Sequence, residues 1–368
     1  MAANKMKAIV WDGTDYPDCL IYRDFDVPEL QPGWVLIRPL AVGVCGTDIH
    51  LVTGHTRYLV PDRNLPAVLG HEWAGEVVEV GDGVTGFQPG DRVGIEPILS
   101  CTVFGDSCPM CRIGKYNLCQ KGLTHVGVPL TRMLPGGFGE LSAVHHTRVF
   151  HLPDHVSYQE AALLDILGVA VHAVNLSNPH MGKTAAVLGC GVIGLDMLQC
   201  LRVEGITDII AVARYENQAE AARELGAKEV VLIPSGGSPL EAVRRLTGGQ
   251  GVDLVYECVG GMTDAVAQAV AISATAGSVV MLGGSSRPTP IDLQEMLLKE
   301  VNLLPSNSYS THGRLREYQI GLDLLSNGQV NHSRLVTHCF SFDQYRQAFE
   351  TALYKGREGA LKVMFLRS

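Results

Sequence analysis

Two short segments near the beginning of the chain carry side chains of the types that bind zinc in proteins. Residues 43–50 read GVCGTDIH and residues 70–76 read GHEWAGE. Cys45 supplies a thiolate and His71 an imidazole, and both are ligands that Zn²⁺ prefers. A catalytic zinc takes three protein ligands and leaves a fourth position exchangeable. The two segments therefore predict a catalytic zinc site with room for a third protein ligand.

Four of the ten cysteines lie close together, at Cys101, Cys108, Cys111 and Cys119. The opening residues MAANKMKAIVWDG contain no apolar stretch of the kind found in a signal peptide, so we expect a cytoplasmic protein. Thiols stay reduced in that compartment, and a cluster of them typically binds metal. The cluster therefore indicates a second zinc site.

A glycine-rich turn follows in the second half of the chain. Residues 185–194 read AAVLGCGVIG, so Gly189, Gly191 and Gly194 form G-x-G-x-x-G between an apolar strand and an apolar helix. The first glycine permits a tight turn, the second lets a pyrophosphate approach the backbone, and the third lets the helix pack on the strand. The start of the helix, at Val192 and Ile193, offers N–H groups to the anion. The motif predicts a dinucleotide site, although such a turn can also be purely structural.

The end of the next strand distinguishes between the two nicotinamide dinucleotides. An NAD enzyme usually carries an acidic residue there, which binds the ribose 2′-hydroxyl. In this chain the strand DIIAVA ends at Ala213, and Arg214 follows. Without a carboxylate nothing repels a 2′-phosphate, and a guanidinium can pair with it through two hydrogen bonds. The pattern favours NADP, with a solvated arginine and bound NAD as the alternative.

The chain has 368 residues, which is too long for one compact core and predicts two domains. The elements that position the residues above should be divided between them. Residues 6–160 contain short β-rich runs broken by glycine and proline, which predict a mostly β domain. From Gly182, apolar runs alternate with amphipathic helical stretches, which predict an α/β domain with a doubly wound parallel sheet. Beyond Pro305 the pattern becomes irregular again, and we expect the chain to return to the first domain.

Composition excludes several classes of partner. Lys and Arg number 29 against 38 Asp and Glu, which gives a net charge of −9 and argues against nucleic acid or an anionic membrane. The sequence contains no run of 18 apolar residues, so it predicts no membrane span. The expected partner is a small molecule.

The chain resembles the zinc-containing medium-chain dehydrogenases, in the branch of polyol and threonine dehydrogenases. The resemblance lies in the order of its motifs: the segments of Cys45 and His71, then the cysteine cluster, then the glycine-rich turn. The resemblance runs from Met6 to Leu366. It implies a GroES-like catalytic domain (residues 1–164 and 306–368) and a Rossmann domain (residues 165–305). It also implies hydride transfer between a nicotinamide cofactor and a secondary alcohol or ketone, with a polyol or sugar-like substrate, in a homodimer or homotetramer. Together with Ala213 and Arg214, this makes NADP the expected cofactor.

The resemblance assigns roles to the residues around the catalytic metal. Cys45 and His71 correspond to zinc ligands of the family, and Glu72 lies near the metal and approaches it during ligand exchange. The third ligand in this branch is a carboxylate, which falls on Asp165 in AALLDILG. The proline that usually follows is missing, so the alternative is a carboxylate that only stabilises the start of a helix.

The segment CGTDIH also matches the proton relay of the family. Thr47 would lie beside the substrate oxygen, and the proton would pass through the cofactor ribose to His50, which releases it to solvent. Asp48 would orient the ligand His71.

The cysteine cluster resembles the structural-zinc lobe of the family, C-x2-C-x2-C-x7-C, in its last three members. The expected first position is Gly105, and Cys101 lies four residues earlier. Because extra loop residues cost little in closure entropy, we expect Cys101 to complete a site of four thiolates. Asp106 as the fourth ligand, or a lobe without metal, are the alternatives.

Two other functions are compatible with these motifs. A threonine-dehydrogenase-like enzyme would act on an amino alcohol with NAD, and a carboxylate at Asp165 suits it equally. A non-catalytic nicotinamide-binding sensor or structural protein would keep the fold without the chemistry. Bound zinc and alcohol-dependent reduction of the cofactor distinguish an enzyme from such a protein.

Overall fold

The computed structural model describes residues 5–234, 237–261, 263–284 and 288–367. The chain forms two compact units. The first runs to Asp165 and resumes at Val336, and the second is Ile166–Leu335.

The first stretch of chain is rich in short strands. Its ten strands are β1 (Lys5–Trp11), β2 (Leu20–Asp26), β3 (Trp34–Gly43), β4 (Ala67–Val68), β5 (Glu72–Val80), β6 (Arg92–Ile95), β7 (Ile98–Leu99), β8 (Thr124–His125), β9 (Ser142–His145) and β10 (Val149–His151). The α-helices formed by its described residues are α1 (Gly46–Val52), α2 (Pro109–Arg112) and α3 (Tyr158–Ala161). Its 3₁₀ turns are Arg57–Leu59, Asp62–Asn64, Cys101–Phe104, Tyr116–Leu118 and His146–Arg148.

The middle of the chain alternates strands with helices. Its helices are α4 (Leu164–Ser177), α5 (Val192–Val203), α6 (Glu216–Glu224), α7 (Leu240–Leu246), α8 (Ala265–Ile272), α9 (Leu293–Lys299) and α10 (Glu317–Ser326). Its strands are β11 (Thr184–Leu188), β12 (Asp208–Ala213), β13 (Glu229–Leu232), β14 (Val252–Glu257), β15 (Ser273–Met281), β16 (Asn302–Pro305), β17 (Thr311–His312) and β18 (Leu315–Arg316).

The last stretch contributes two strands and two helices. These are β19 (Val336–Phe340), α11 (Tyr345–Leu353), α12 (Lys355–Glu358) and β20 (Lys362–Leu366), with a 3₁₀ turn at Phe342–Gln344.

The sheet that positions the first unit's chemistry joins both ends of the chain. It runs β10-β6-β5-β3-β20-β19, with β9 also paired to β3. The core beside it is built around large buried side chains, among them Trp11, Trp73, Phe138 and Phe365. The final strand therefore belongs to the first unit.

The second unit has a six-stranded sheet in the order β13-β12-β11-β14-β15-β16, with every neighbouring pair parallel. This is the doubly wound order of dinucleotide-binding folds. The central strands β11, β12 and β14 are almost entirely buried, because helices cover both faces. The predicted fold class, a Rossmann sheet with a mostly β domain, is confirmed.

Residues 306–335 belong to the second unit, whereas the change of pattern beyond Pro305 predicts that they join the first. The physical reason is a buried polar network on α10. Glu317 is 1% exposed and accepts hydrogen bonds from Asn175 (3.0 Å) and from the backbone of Ser310 (2.7 Å). Its other contact is His172 Nδ1 at 2.7 Å. These contacts attach α10 to α4.

No helix formed by the described residues is both long enough and apolar enough to cross a membrane.

Candidate active site and metal centres

Strand pairing brings the segments of Cys45 and His71 together. In the antiparallel pair of β3 and β5, Gly43 lies opposite Glu72. Cys45 follows the end of β3 by two residues, and His71 immediately precedes β5. The register therefore places a thiol and an imidazole that are far apart in sequence at the same end of the sheet.

Asp48 ties these two segments to each other. Its side chain is fully buried, and its two oxygens accept hydrogen bonds from the backbone of Cys45 (2.9 Å) and of Gly70 (3.3 Å). Its Oδ1 lies 3.8 Å from His71 Nδ1. The carboxylate thus fixes the backbone on both sides of the site and supplies negative charge beside the imidazole.

The donor atoms of Cys45, His71 and Glu72 all lie within 4.8 Å of one another. Burial by itself would lower the pKa of His71, but the charges of Cys45, Asp48 and Glu72 outweigh it and raise that pKa well above its usual value. The anionic surroundings therefore attract positive charge, and a metal ion would replace the proton. A thiolate, an imidazole and a carboxylate in this arrangement fit Zn²⁺.

Lys362, on β20, forms an ion pair with Glu72 inside the protein, and both side chains are 2% exposed. Burial would raise the pKa of Glu72, but Lys362 and His71 keep it below its usual value. A Cβ at Gly43 would lie 2.6 Å from both Glu72 Oε2 and Lys362 Cε, so a glycine there leaves room for the pair.

The helix α1 carries buried residues on one face and the predicted relay residues on another. Asp48, Leu51 and Val52 face the interior, whereas Thr47 and His50, three residues apart, are exposed on another face. Thr47 Oγ1 lies 3.7 Å from Cys45 Sγ. Partial burial, followed by the charges of His55 and Lys355, lowers the pKa of His50 below its usual value. A neutral imidazole near pH 7 is able to accept a proton.

Asp165 lies in the first turn of α4, in the last position of the first unit. In the described part of the chain, the group of donors around Cys45 and His71 includes Glu72 but not Asp165. The predicted third ligand is therefore not among the donors that the structure gathers there, and the carboxylate in that group belongs to Glu72.

The structure gathers the thiols of the cysteine cluster, all four of which lie within 4.8 Å of one another. Cys101 Sγ is 3.7 Å from Cys111 Sγ, and the backbone N–H of Cys101 donates to Cys119 Sγ (3.4 Å). Hydrogen bonds from the backbone of Cys111 and Gln120 help to lower the pKa of Cys108 to about 6, which favours a thiolate.

Asp106, the alternative fourth ligand of the lobe, instead forms an ion pair with Lys121 (2.5 Å). The chain reverses after the 3₁₀ turn at Gly105, which has a left-handed backbone (φ 76°). This turn brings Cys101 back to the other thiols. Four convergent thiols fit a closed structural zinc site.

In the second unit, the three glycines of the turn differ in their surroundings. Gly189 has φ 92°, a conformation that favours glycine. A Cβ at Gly194 would lie 2.0 Å from the carbonyl oxygen of Gly189, so helix and strand approach closely there. Gly191 caps α5, which begins at Val192 and Ile193. Apart from its chain neighbours, no described residue has an atom within 4 Å of where the Cβ of Gly191 would be. The turn is thus open at its middle glycine, where backbone N–H groups are accessible to an anion.

A cavity of about 400 Å³ adjoins this turn, with Gly189, Ala213 and Arg214 in its lining. Ala213 ends β12, and Arg214 is exposed with its guanidinium 5.3 Å from the ring centre of Tyr215. No carboxylate in the described ranges forms an ion pair with Arg214. Its charge is therefore available to a ligand in the cavity.

Three residues near the first site have no sequence motif that would have identified them. They are Lys362, Lys355 and His125. Burial and the neighbouring His71 lower the pKa of His125 to about 4, so its ring is neutral. These residues reach the site through strand pairing and helix packing, which leave no local pattern in the sequence.

Comparison with known proteins agrees with the fold and the sites. Residues 31–154 match the alcohol dehydrogenase GroES-like domain, and residues 192–327 match the zinc-binding dehydrogenase domain. Sorbitol dehydrogenase of Bacillus subtilis is 32% identical over 340 residues, which cover 92% of this chain and 91% of that protein.

Two solved structures with bound cofactor are similar over 99% of this chain. A putative zinc-binding dehydrogenase from Sinorhizobium meliloti bound to NADP has a TM-score of 0.85 and 30% identity, and all of that chain is covered. A structure described as a short chain alcohol dehydrogenase from Escherichia coli, complexed with NADH, has a TM-score of 0.85 and 27% identity, and all of that chain is covered.

The fold, the site and these similarities together define a zinc-dependent alcohol dehydrogenase, an oxidoreductase acting on a small molecule. The chain belongs to the zinc-containing medium-chain dehydrogenase family, in its polyol branch.

Proposed function

We propose that this enzyme transfers a hydride between NADP and the secondary alcohol of a polyol or sugar-like substrate, or reduces the corresponding ketone. The observation that carries the proposal is the group of Cys45, His71 and Glu72, which lies beside the exposed hydroxyl of Thr47. The similarity to sorbitol dehydrogenase supports the substrate class.

In this proposal Cys45 and His71 hold the catalytic zinc together with one carboxylate. Glu72 is the carboxylate in the arrangement described here, and Asp165 is the one that the family resemblance implies. When bound, zinc polarises the substrate oxygen as a Lewis acid. Cys101, Cys108, Cys111 and Cys119 hold a second zinc with a structural role.

The remaining chemistry belongs to residues of this chain. Thr47 receives the hydroxyl proton of the alcohol through its own hydroxyl, and His50 holds that proton before releasing it to solvent. Lys362 keeps Glu72 ionised, and Asp48 keeps the two ligand segments in place. The hydride itself passes between the substrate carbon and the nicotinamide ring.

The preference for NADP rests on the cavity beside the glycine-rich turn. Ala213, at the end of β12, provides no carboxylate for the ribose 2′-hydroxyl. Arg214 forms no ion pair with any described residue, so its guanidinium is available to a 2′-phosphate in this cavity. NADH and NADP each occur in one of the similar structures, so this chain's own residues carry the assignment.

A substrate panel tests the proposed function. We expect kcat/KM with a hexitol and NADP to exceed that with simple secondary alcohols and amino alcohols, and we expect activity to disappear when zinc is removed. Preference for an amino alcohol with NAD would support the threonine-dehydrogenase-like alternative. A zinc-loaded protein that binds cofactor but reduces none of it with any alcohol would support the non-catalytic alternative.

The proton relay gives a separate prediction. His50→Ala should lower kcat for alcohol oxidation by about 10- to 1000-fold, because a positioned acid–base group contributes an effect of this size. The pKa of His50 is below the usual value for histidine. The wild-type rate should therefore fall as the pH drops through the pKa of His50, because a protonated His50 cannot accept the proton of the alcohol. The variant should lose this limb of the pH–rate profile.

Two controls accompany the measurement. His155→Ala changes a histidine with no assigned role, and it should leave the profile unaltered. Zinc content should be the same in all three proteins. A His50→Ala enzyme with the wild-type pH–rate profile would contradict the relay.

A further inference from the structure

His50, the relay histidine of the proposed function, has a second histidine beside it. The ring centres of His50 and His55 are 5.6 Å apart, and the two ring planes meet at 83°. Both residues lie at the surface, so the contact is not part of the hydrophobic core. At this separation a positive charge on one imidazole disfavours a positive charge on the other.

The turn that follows α1 fixes this arrangement. Gly54 has φ 80°, a conformation that favours glycine, and a Cβ there would lie 2.6 Å from Asp15 Oδ1. Beyond it, the backbone N–H of Thr56 donates to the carbonyl oxygen of His50 (3.2 Å). The chain therefore folds back toward the last turn of α1, with His55 beside His50.

Thr53 determines which nitrogen of His55 carries the hydrogen. A threonine hydroxyl has a single hydrogen, and that of Thr53 is donated to the carbonyl oxygen of Ile49 (2.7 Å). The same hydroxyl lies 2.7 Å from His55 Nδ1, where it must act as the acceptor. Neutral His55 therefore carries its hydrogen on Nδ1, and the lone pair of Nε2 is left to accept a proton. Because the side chain is exposed, water solvates the resulting charge.

The surroundings of His50 are less favourable to a proton. Burial, followed by the charges of His55 and Lys355, lowers the pKa of His50. Other charged groups lie on the elements around α1 and α11: Asp15 in the loop after β1, Arg57 and Asp62 in the two 3₁₀ turns, Arg346 and Glu350 on α11, and Arg357 and Glu358 on α12. Arg57 pairs with Asp62, and Arg357 pairs with Glu350 and Glu358. A proton that joins the two histidines is therefore better placed on His55 than on His50.

We propose that His55 is a positioning residue of the proton relay: as the pH falls it takes the first proton of the pair, and its charge keeps His50 neutral and able to accept the proton of the alcohol. The proton adds to His55 Nε2 from water and returns to water when the pH rises. The inference rests on the proposed function, in which His50 receives the proton by way of Thr47. It extends the range over which the relay works toward acid pH.

Two variants of the zinc-loaded enzyme separate the charge of His55 from its ring. His55→Gln removes the charge, His55→Lys keeps a positive charge, and both lose the ring. His180→Lys is the matched control, because His180 is an exposed histidine of the second unit. For each protein we measure kcat for alcohol oxidation as a function of pH. The protonation midpoint of His50 is measured by NMR in the zinc-loaded protein without substrate.

In His55→Gln the pKa of His50 should rise, because the neighbouring charge is gone. The fall in rate on the acid side should then begin about 0.5 to 1 pH unit higher than in the wild type, the size expected of one charge at this distance near the surface. His55→Lys should keep this fall at the wild-type pH or move it lower. The NMR midpoint of His50 should follow the same order, and the difference between the two variants should shrink at high salt. His180→Lys should resemble the wild type.

A midpoint of His50 in His55→Gln that is no higher than in His55→Lys would overturn the proposal, because a ring with a merely structural role is missing equally from both. If the wild type oxidises no alcohol, the proposed function fails. The NMR midpoints of His50 still decide in that case whether the charge of His55 acts on it.

Discussion

Cys45→Ala should lose one of two zinc ions per chain and roughly a thousandfold or more in kcat/KM. Each tenfold loss corresponds to about 1.4 kcal/mol, and Lewis-acid stabilisation of the reacting oxygen contributes several kcal/mol. Removing the thiolate also leaves His71 and Glu72 without the third member of their group. Elemental analysis and steady-state kinetics on the same preparation measure both effects.

Cys111→Ser is the matched control, because it removes a thiol from the other group. It should also lose one zinc, but it should retain the zinc held by Cys45, and its main effect should be on stability. A Cys45→Ala protein that keeps its full zinc content would show that the catalytic assignment is wrong. Loss of the only zinc in Cys45→Ala would instead mean that the four-cysteine lobe binds none.

The same assay separates the two candidate carboxylates. If Glu72 completes the site, Glu72→Ala should release the exchangeable zinc and Asp165→Ala should retain it. The opposite result would support the ligand that the family resemblance implies.

The sequence predicts the second unit well, because strands buried on both faces appear as continuous apolar runs. The runs DIIAVA and VDLVYE correspond to β12 and β14, and the glycine-rich turn lies between β11 and α5, as its motif requires. Local patterns suffice here because each element is determined by its own burial.

Residues 306–335 show where local patterns stop being informative. The amphipathic stretch that becomes α10 is recognisable as a helix. It packs against α4 because Glu317 contacts His172 and Asn175. Those partners lie more than 140 residues away in the chain. A buried polar network of this kind has no periodicity, so the domain to which the helix belongs was not evident from the sequence.

The candidate site divides in the same way. Cys45, His71, Thr47 and His50 are found because they lie in two compact segments with recognisable spacing. Lys362 lies 290 residues from Glu72 and is brought to it by pairing of β20 with β3. A lysine in a terminal strand carries no sign of such a contact, and only the fold shows that the carboxylate has a buried counter-charge.

The cofactor site gives a prediction in which one substitution reverses the preference between NADP and NAD. Wild-type enzyme should prefer NADP over NAD by about 10- to 100-fold in kcat/KM, because a charge-assisted contact between Arg214 and the 2′-phosphate contributes about 1.5–3 kcal/mol. Ala213→Asp should reverse the preference, since a carboxylate at the end of β12 repels the 2′-phosphate and accepts a hydrogen bond from the 2′-hydroxyl.

Arg214→Ala completes the test, because it should weaken the use of NADP and leave NAD almost unchanged. Arg223→Ala is the matched control, since Arg223 is exposed on α6 and pairs with Glu216 at 3.0 Å, so both cofactors should behave as in the wild type. The measurement is kcat/KM for both cofactors in the four proteins. A wild type that prefers NAD, or an equal loss with both cofactors in Arg214→Ala, would contradict a phosphate-binding role and leave Arg214 as a surface residue.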